Sequence, residues 1–363
     1  MKVWYLPLEP YRERYTEQLL DWTLRAFRRN GVDCEVVQGT RLDGHERIRT
    51  GPVLDAEGRS HYALTQMARL VACLHEVGPE DWIFLEDLFT PGYEALPYVL
   101  QQRPDRACPR IATRNYAQSV DPDDFTFGMR PWMRRFEQLV DRTCDAVFVA
   151  STEHKVLWQV AGLGSARTVH VAGLPFDKDA VREQGPETVR PWEDRERLVV
   201  YASRLDREKQ PHLFMDAVER MAGRCRFVVC TGADTVRSND PTVAPRLAIL
   251  AAAGKVDLWT GLTKARYYDV LSRARVQLNT ARQDWVSFTA LEASAFGVPT
   301  LAPGFRGFPE ALENRGAQLY TPWVLDDLVL KLEALLDSGE PACWRLADHH
   351  HHTLDRMIEV FRA

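Results

Sequence analysis

The chain has 363 residues, 45% of them hydrophobic and 27% charged, with a formal net charge of −5. That length suits two domains, each large enough to bury its own core, and the composition is that of a globular protein rather than a fibrous or disordered one. The mild negative charge excludes a global attraction to nucleic acid or anionic membrane, so any such binding needs a local basic face.

No apolar run reaches the ~20 residues that span a bilayer. The opening MKVWYLPLEP, with one lysine and a proline-interrupted run, is unlike a secretory leader. The seven cysteines, from Cys34 to Cys343, are scattered and show no CxxC spacing. A reduced, cytoplasmic protein with buried structural thiols is expected.

In chain order, residues 2–8 predict a strand, 12–30 a helix closed by Asn30-Gly31, and 34–37 a second strand. This βαβ opening starts most parallel doubly wound sheets. The alternation continues with a helix over 62–77, a strand over 82–85 ending in Glu86 and Asp87, and a helix over 91–102. A strand over 110–112 runs into the polar loop RNYAQSVDPDDFTFG. A helix over 132–143, a strand over 145–150, a helix over 152–161 capped by Ser151 and a strand over 168–171 complete the half.

Residues 177–196, DKDAVREQGPETVRPWEDRE, are charged and punctuated by Gly185, Pro186 and Pro191. They predict a linker between domains at 1–176 and 197–345. Strands over 198–202, 226–231, 256–259 and 275–278 then alternate with helices over 211–221, 245–252 and 264–274. A helix from Phe288 ends at Gly297-Val298-Pro299, a C-cap glycine before a residue that cannot continue it. A strand over 299–302 and a helix over 324–337 follow, and 346–363 predicts a terminal helix returning to the first domain. Within it, His349 to His352 are expected on a solvated face.

The second half places chemistry beyond strand ends. Arg204 and Lys209 follow the strand over 198–202, an arrangement that offers a pyrophosphate a forked donor and a point charge, or is simply a solvated turn. Gly232 and Gly261 follow the next strands, where glycine lets a ligand approach the backbone. The polar loop before Phe288 brings a strand, a loop and a helix N-terminus together, a ready anion site at Ser287, Phe288 and Thr289. Asp284 and Glu292, eight positions apart, frame it. Glu292 either accepts hydrogen bonds from ribose hydroxyls or complements the helix dipole, and Asp284 either reaches a sugar or is a loop carboxylate.

SRLDREK and the run from VDLWTG to FGVPTLA make the second half resemble family-four retaining glycosyltransferases of the GT-B fold, across nearly all of residues 198–336. SRLDREK is similar to that family's G-R-L-x-x-E-K element, with Ser203 in place of the glycine. Asp284 stands where the family has the first glutamate of its two-glutamate motif, and Val286-Ser287 where it has phenylalanine-glycine. The resemblance implies two Rossmann-like doubly wound parallel-sheet domains facing a cleft. It also implies Arg204 and Lys209 on the donor diphosphate, backbone N–H groups of 287–289 around phosphate, and Glu292 on the ribose.

The first half resembles glycosyltransferases encoded by large tailed phages through LPLEPYRERYT, PGYEALPY and YAQSVDPDDFTFGMRPWMRRFE, as does RGFPEAL further on. Such phages glycosylate hydroxymethylated pyrimidines in their own DNA. Tyr116 stands where that set has histidine. Gln118, Ser119, Asp121 and Asp124 are candidates for the acceptor side, Asp121 or Asp124 as a base or as plain loop caps. Asp121-Pro122-Asp123 offers an aspartate pair one residue apart, but this fold manages diphosphate charge with Arg, Lys and a helix N-terminus, so no metal is expected. Glu86 and Asp87 complete the acceptor-side set.

The expected activity is sugar transfer from a nucleotide diphosphate sugar, UDP-sugar favoured, to a hydroxyl with retained configuration. The leading acceptor is hydroxymethylcytosine in double-stranded DNA, an extruded base stacking on Tyr116, Phe125, Phe127 or Trp132. The alternatives are a small-molecule, glycan or lipid-linked acceptor, an epimerase on the same fold, or a module that binds nucleotide sugar without transferring it.

Overall fold

The runs KVWYL, WIFL and AVFV carry apolar residues on both faces, as strands inside a parallel sheet must, and each forms one. The computed structural model describes residues 1–11, 14–45, 55–103, 108–164, 168–338 and 345–363. Arg12, where the first helix was expected to begin, and Cys343 lie outside them. The chain divides into two compact units, Met1–Pro175 with Thr353–Ala363, and Phe176–His352.

The first unit opens with β1 (Lys2–Leu6), α1 (Tyr15–Arg29), β2 (Asp33–Val36), α2 (Ala56–Cys73), β3 (Trp82–Leu85) and α3 (Ala95–Leu100). It continues with β4 (Arg110–Arg114), α4 (Arg130–Thr143), β5 (Ala146–Val149), α5 (Thr152–Val160) and β6 (Val169–Val171). The strands form one parallel sheet of order β2-β1-β3-β4-β5-β6. Helix α1 buries Leu19, Trp22, Ala26 and Phe27 and stops at Gly31, whose φ of +63° is the left-handed C-cap geometry glycine adopts without cost. Helix α2 begins six residues before its expected start, because Asp55 caps it, its carboxylate accepting the Gly58 N–H at 3.1 Å.

The second unit runs α6 (Lys178–Glu183), β7 (Glu196–Tyr201), α7 (Pro211–Arg220), β8 (Arg226–Cys230), α8 (Val243–Ala252), β9 (Asp257–Trp259) and α9 (Lys264–Arg273). Then come β10 (Ala274–Leu278), α10 (Phe288–Ala295), β11 (Thr300–Pro303), α11 (Phe308–Ala311), β12 (Leu319–Tyr320), α12 (Leu325–Ser338) and α13 (Arg345–His351). Its parallel sheet has the order β12-β11-β10-β7-β8-β9. The order reverses between β7 and β10, and ligands of such sheets bind outside the strand ends at that point. Val199, Tyr201, Phe214, Val276, Leu301 and Leu332 lie in the core beneath it.

Helix α14 (Thr353–Arg362) belongs to the first unit. Its Phe361 ring lies 5.0 Å from Trp82, 5.6 Å from Phe84 and 5.8 Å from Phe148. Its carbonyl accepts the Trp82 indole N–H at 2.9 Å.

Two expectations need correction. Residues 177–196 are not an open linker: Asp177 caps α6, accepting the Ala180 N–H at 2.9 Å, and Ala180 and Val181 are buried. The two units divide at Pro175 and Phe176, one residue from the expected end of the first domain at 176, and the stretch itself belongs to the second unit. The expected terminal helix is two helices in different units, and its histidines do not share a wet face. His350 is 3% exposed, and His351 Nδ1 accepts the Lys178 N–H at 3.2 Å. The six described cysteines carry no disulfide, and burial pushes the Cys144 and Cys230 thiols up to about 12.

Candidate functional site

The loops that leave β7 and β10 are stitched together at the switch point of the second sheet. The Arg282 N–H donates to the Glu208 carbonyl at 2.7 Å, and the Thr280 hydroxyl donates to the Lys209 carbonyl at the same distance. Gln210 takes a left-handed φ of +49°, which turns the chain from the Lys209 turn into α7 with Pro211 at its start. Lys209 is only 8% exposed. Its ammonium donates to the Gln283 carbonyl at 2.6 Å and lies 3.3 Å from Asp284 Oδ2. Arg204 is more open, forked between Asp206 at 3.1 Å and Glu208 at 2.8 Å. Both cations therefore sit at one strand end, oriented by carbonyl and carboxylate neighbours, as a diphosphate site requires.

Helix α10 faces the same point. Asn279 donates to the Ser287 hydroxyl at 3.1 Å, and Ser287 and Thr289 hydroxyls lie 2.9 Å apart. Ser287 thus spends its side chain on the loop and caps no N–H of the helix; a helix start of this kind favours negative charge. The family glycine that Ser287 replaces is not needed for backbone angles, since Ser287 has an ordinary extended φ of −92°. The next loop braces this one: the Gly307 N–H donates to the Asp284 carbonyl at 3.3 Å, and a Cβ at Gly307 would lie 1.6 Å from the Trp285 carbonyl oxygen. No larger residue fits there, which gives RGFPEAL its glycine.

Glu292 is fully buried, and its Oε1 accepts from Lys264 and from the Tyr268 hydroxyl, each at 2.7 Å. Lys264 and Tyr268 were not singled out in the sequence; a lysine at the first turn of a helix and a tyrosine pair are ordinary patterns without the fold. Gly261 needs glycine for its φ of +64°, and its N–H ties to the Ala233 carbonyl at 2.9 Å. Gly232 stands in open contact, its nearest neighbour for an added Cβ being the Leu262 carbonyl at 3.5 Å.

The acceptor-side candidates of the first unit are placed differently. Glu86, 1% exposed, accepts from Tyr116 and Tyr5 hydroxyls, each at 2.6 Å, and is paired with Arg114. Burial pushes the Tyr116 phenol well above its ordinary range. Glu86 and Tyr116 thus share one hydrogen-bonded network, with Glu86 buried and Tyr116 half-buried. Asp87 pairs with Arg59 and caps the Phe89 N–H at 3.2 Å. Ser119 donates through its N–H and hydroxyl to both oxygens of Glu137, at 2.7 and 2.8 Å. Gln118 and Asp121 have no exposed surface, and Asp121 accepts the Asp123 N–H at 3.0 Å. Asp121 and Asp123 are thereby joined in an Asx-type turn. Glu137, the anchor of the loop, was missed, because a lone glutamate on a helix gives no sign that it faces inward.

Asp124 caps the turn that follows, accepting the Thr126 N–H and hydroxyl, each at 2.8 Å. Burial outweighs these bonds and pushes its carboxyl up to about 6 from 3.8. The protonated acid is then the form the fold prefers. That stabilisation is complete below about pH 4 and is lost as pH rises through about 6, in all roughly 3 kcal/mol. Asp124→Asn is expected to remove this titration, so the difference in unfolding free energy between the two proteins should change by that amount between pH 4 and 7. Parallel urea-unfolding profiles across the range would exclude Asp124 as its source.

Residues 196–338 match the family model for glycosyl transferases group 1. Arg204, Lys209, Gly232, Gly261, Asp284, Ser287 and Glu292 all fall inside that segment. Over 128 residues the chain is 27% identical to D-inositol 3-phosphate glycosyltransferase of Mycobacteroides abscessus, covering 35% of this chain and 29% of that relative's length. Among solved structures, sucrose-phosphate synthase of Thermosynechococcus elongatus aligns over 100% of this chain and 98% of its own, with a TM-score of 0.69 at 14% identity. Anabaena HepE in complex with UDP and glucose aligns over 100% of both chains, with a TM-score of 0.64 at 14% identity. At such identities the likeness is one of fold, and the fold is GT-B, built from two six-stranded parallel sheets.

Outside the switch point, Asp177, Asp179 and His351 bring three possible metal ligands within 4.8 Å of one another. His351 Nδ1 accepts the Lys178 N–H at 3.2 Å, and its Nε2 lies 3.6 Å from Asp179 Oδ2. No helix among the described residues is long and apolar enough to cross a membrane.

Proposed function

We propose that this chain is a retaining glycosyltransferase that moves a sugar from a nucleotide diphosphate sugar, UDP-sugar favoured, to a hydroxyl. The observation that carries this reading is the meeting of Arg204, Lys209 and the uncapped start of α10 at one switch point. The acceptor oxygen attacks the anomeric carbon, the bond from that carbon to the diphosphate breaks, and the acceptor proton passes to the leaving phosphate on the same face. Arg204, Lys209 and the α10 N–H groups stabilise the charge that gathers on the diphosphate, often the largest catalytic term. Glu292, held by Lys264 and Tyr268, is fixed in place to receive ribose hydroxyls, and Asp284, beside Lys209, to meet the sugar.

The acceptor we infer is a hydroxymethylated cytosine in DNA, from the resemblance carried by YAQSVDPDDFTFGMRPWMRRFE. A small phosphorylated polyol is the second reading, favoured by the relative from Mycobacteroides abscessus. The test is UDP release from UDP-glucose with hydroxymethylated duplex DNA, with inositol phosphate, or with no acceptor. DNA-dependent release with a hexose mass gain on the base is expected. Release only with the polyol moves the acceptor to the second reading, and binding of UDP without release in any arm sinks the transferase assignment.

A further inference from the structure

The segment from Gln118 to Trp132 is turned inside out relative to the usual rule that apolar side chains go in and polar ones stay out. Gln118, Ser119, Asp121, Asp124 and Thr126 are all at most 6% exposed. Phe125, Phe127 and Trp132 are 53%, 39% and 49% exposed. The buried polar groups are bound within the loop and to Glu137, so they form a rigid frame rather than a surface awaiting a ligand. What the frame presents outward is aromatic rings.

Cations accompany the rings. The Arg130 guanidinium lies 6.0 Å from the Phe127 ring centroid, and Trp132 stands against Phe89 at 5.5 Å, which fixes its plane. Arg130 and Arg135 are exposed, and neither has an ion-pair partner among the described residues. Between 122 and 138 no leucine, isoleucine, valine or methionine is exposed. Helix α4 turns Met133 and Val140 inward. An interfacial helix that enters a bilayer needs an outward apolar face, and α4 has none beyond Trp132. Flat rings set among unpaired guanidinium groups suit an anionic chain with planar faces, since bases stack on aromatic side chains while arginines meet phosphates.

We propose that Phe125, Phe127 and Trp132, with Arg130 and Arg135, form a platform that binds nucleic acid through unstacked bases and backbone phosphates. This deepens the DNA-acceptor reading and rests on it for its biological role.

The test is fluorescence anisotropy of a short dye-labelled single-stranded oligonucleotide carrying hydroxymethylcytosine, with the full chain. Trp132→Ala and the pair Phe125→Ala/Phe127→Ala should each weaken binding roughly 5- to 100-fold. Arg130→Gln/Arg135→Gln, which removes two positive charges and leaves every ring in place, should lower the slope of log affinity against log salt by about 1.4 to 1.8. The urea-unfolding midpoint and near-UV circular dichroism should stay unchanged in every variant, which certifies the fold of the first unit. Equal oligonucleotide affinity in all variants overturns the platform. So does a wild-type protein that ignores the oligonucleotide, or that binds phosphatidylglycerol vesicles through these residues instead. If the variants lose the oligonucleotide while the wild type never releases UDP in response to DNA, the platform stands and only the acceptor reading falls.

Discussion

Lys209→Ala is expected to lower turnover by roughly thirty- to a thousand-fold, about 2–4 kcal/mol of transition-state stabilisation, the scale of a lost oxyanion donor. The ammonium is nearly buried, at 8% exposure, and is aimed by the Gln283 carbonyl and Asp284, so it is already placed when charge develops on the leaving diphosphate. Arg204→Ala should act in the same direction. Its guanidinium is the more exposed of the two, and Asp206 and Glu208 hold it in a fork. The measurement is steady-state UDP release, with kcat separated from KM for the donor. A uniform binding role would raise KM alone, and near-normal transfer in both variants would sink the donor-site assignment.

Glu86→Ala is expected to cost about 3–5 kcal/mol of folding stability, the usual penalty for stranding one partner of a buried ion pair. The change leaves Arg114 without its anion and leaves the Tyr5 and Tyr116 hydroxyls without their acceptor. Burial, the largest influence, opposes the charge of Arg114, yet Glu86, Tyr116 and Tyr5 together outweigh it and raise the guanidinium further, so the network is mutually dependent. A lower urea midpoint at unchanged m reports the loss. The double variant Glu86→Ala/Arg114→Met should lose less than the sum of its single changes, because the two share one interaction. Unchanged stability with impaired transfer would return Glu86 to the acceptor side and refute the shared network.

The fold was legible where punctuation and period agreed. WIFL, bounded by a turn and by acidic residues, forms β3 at the expected residues, and Gly297-Val298-Pro299 ends α10 where a C-cap glycine must. The charged stretch at 177–196 put the end of the first domain at 176, one residue from the division of the units. Composition reports solvent exposure, however, and does not say that the stretch begins with α6 and buries Ala180 and Val181. The order of strand ends and SRLDREK pointed to Arg204 and Lys209, and the structure sets both beyond the end of β7. The first-unit loop was not legible. Gln118, Ser119, Asp121 and Asp124 look like ligands in a sequence because polar residues in a loop are assumed to face water, and here they face inward. Burial of a polar side chain depends on a distant partner such as Glu137, and nothing local announces it.

The seating of Phe361 among Trp82, Phe84 and Phe148 bears on the order in which the protein can be made. A ribosome that has produced Met1–Pro175 has delivered all six strands of the first sheet but not the helix that closes one side of it. The second unit, Phe176–His352, is continuous in the chain and can finish folding as it emerges. The unit synthesised first is therefore completed last, and its aromatic floor stays open for the whole of the intervening translation. An isolated 1–175 fragment would keep that floor uncovered permanently, so the smallest piece of the first unit worth expressing is one that carries α14 in cis or is given it as a peptide in trans.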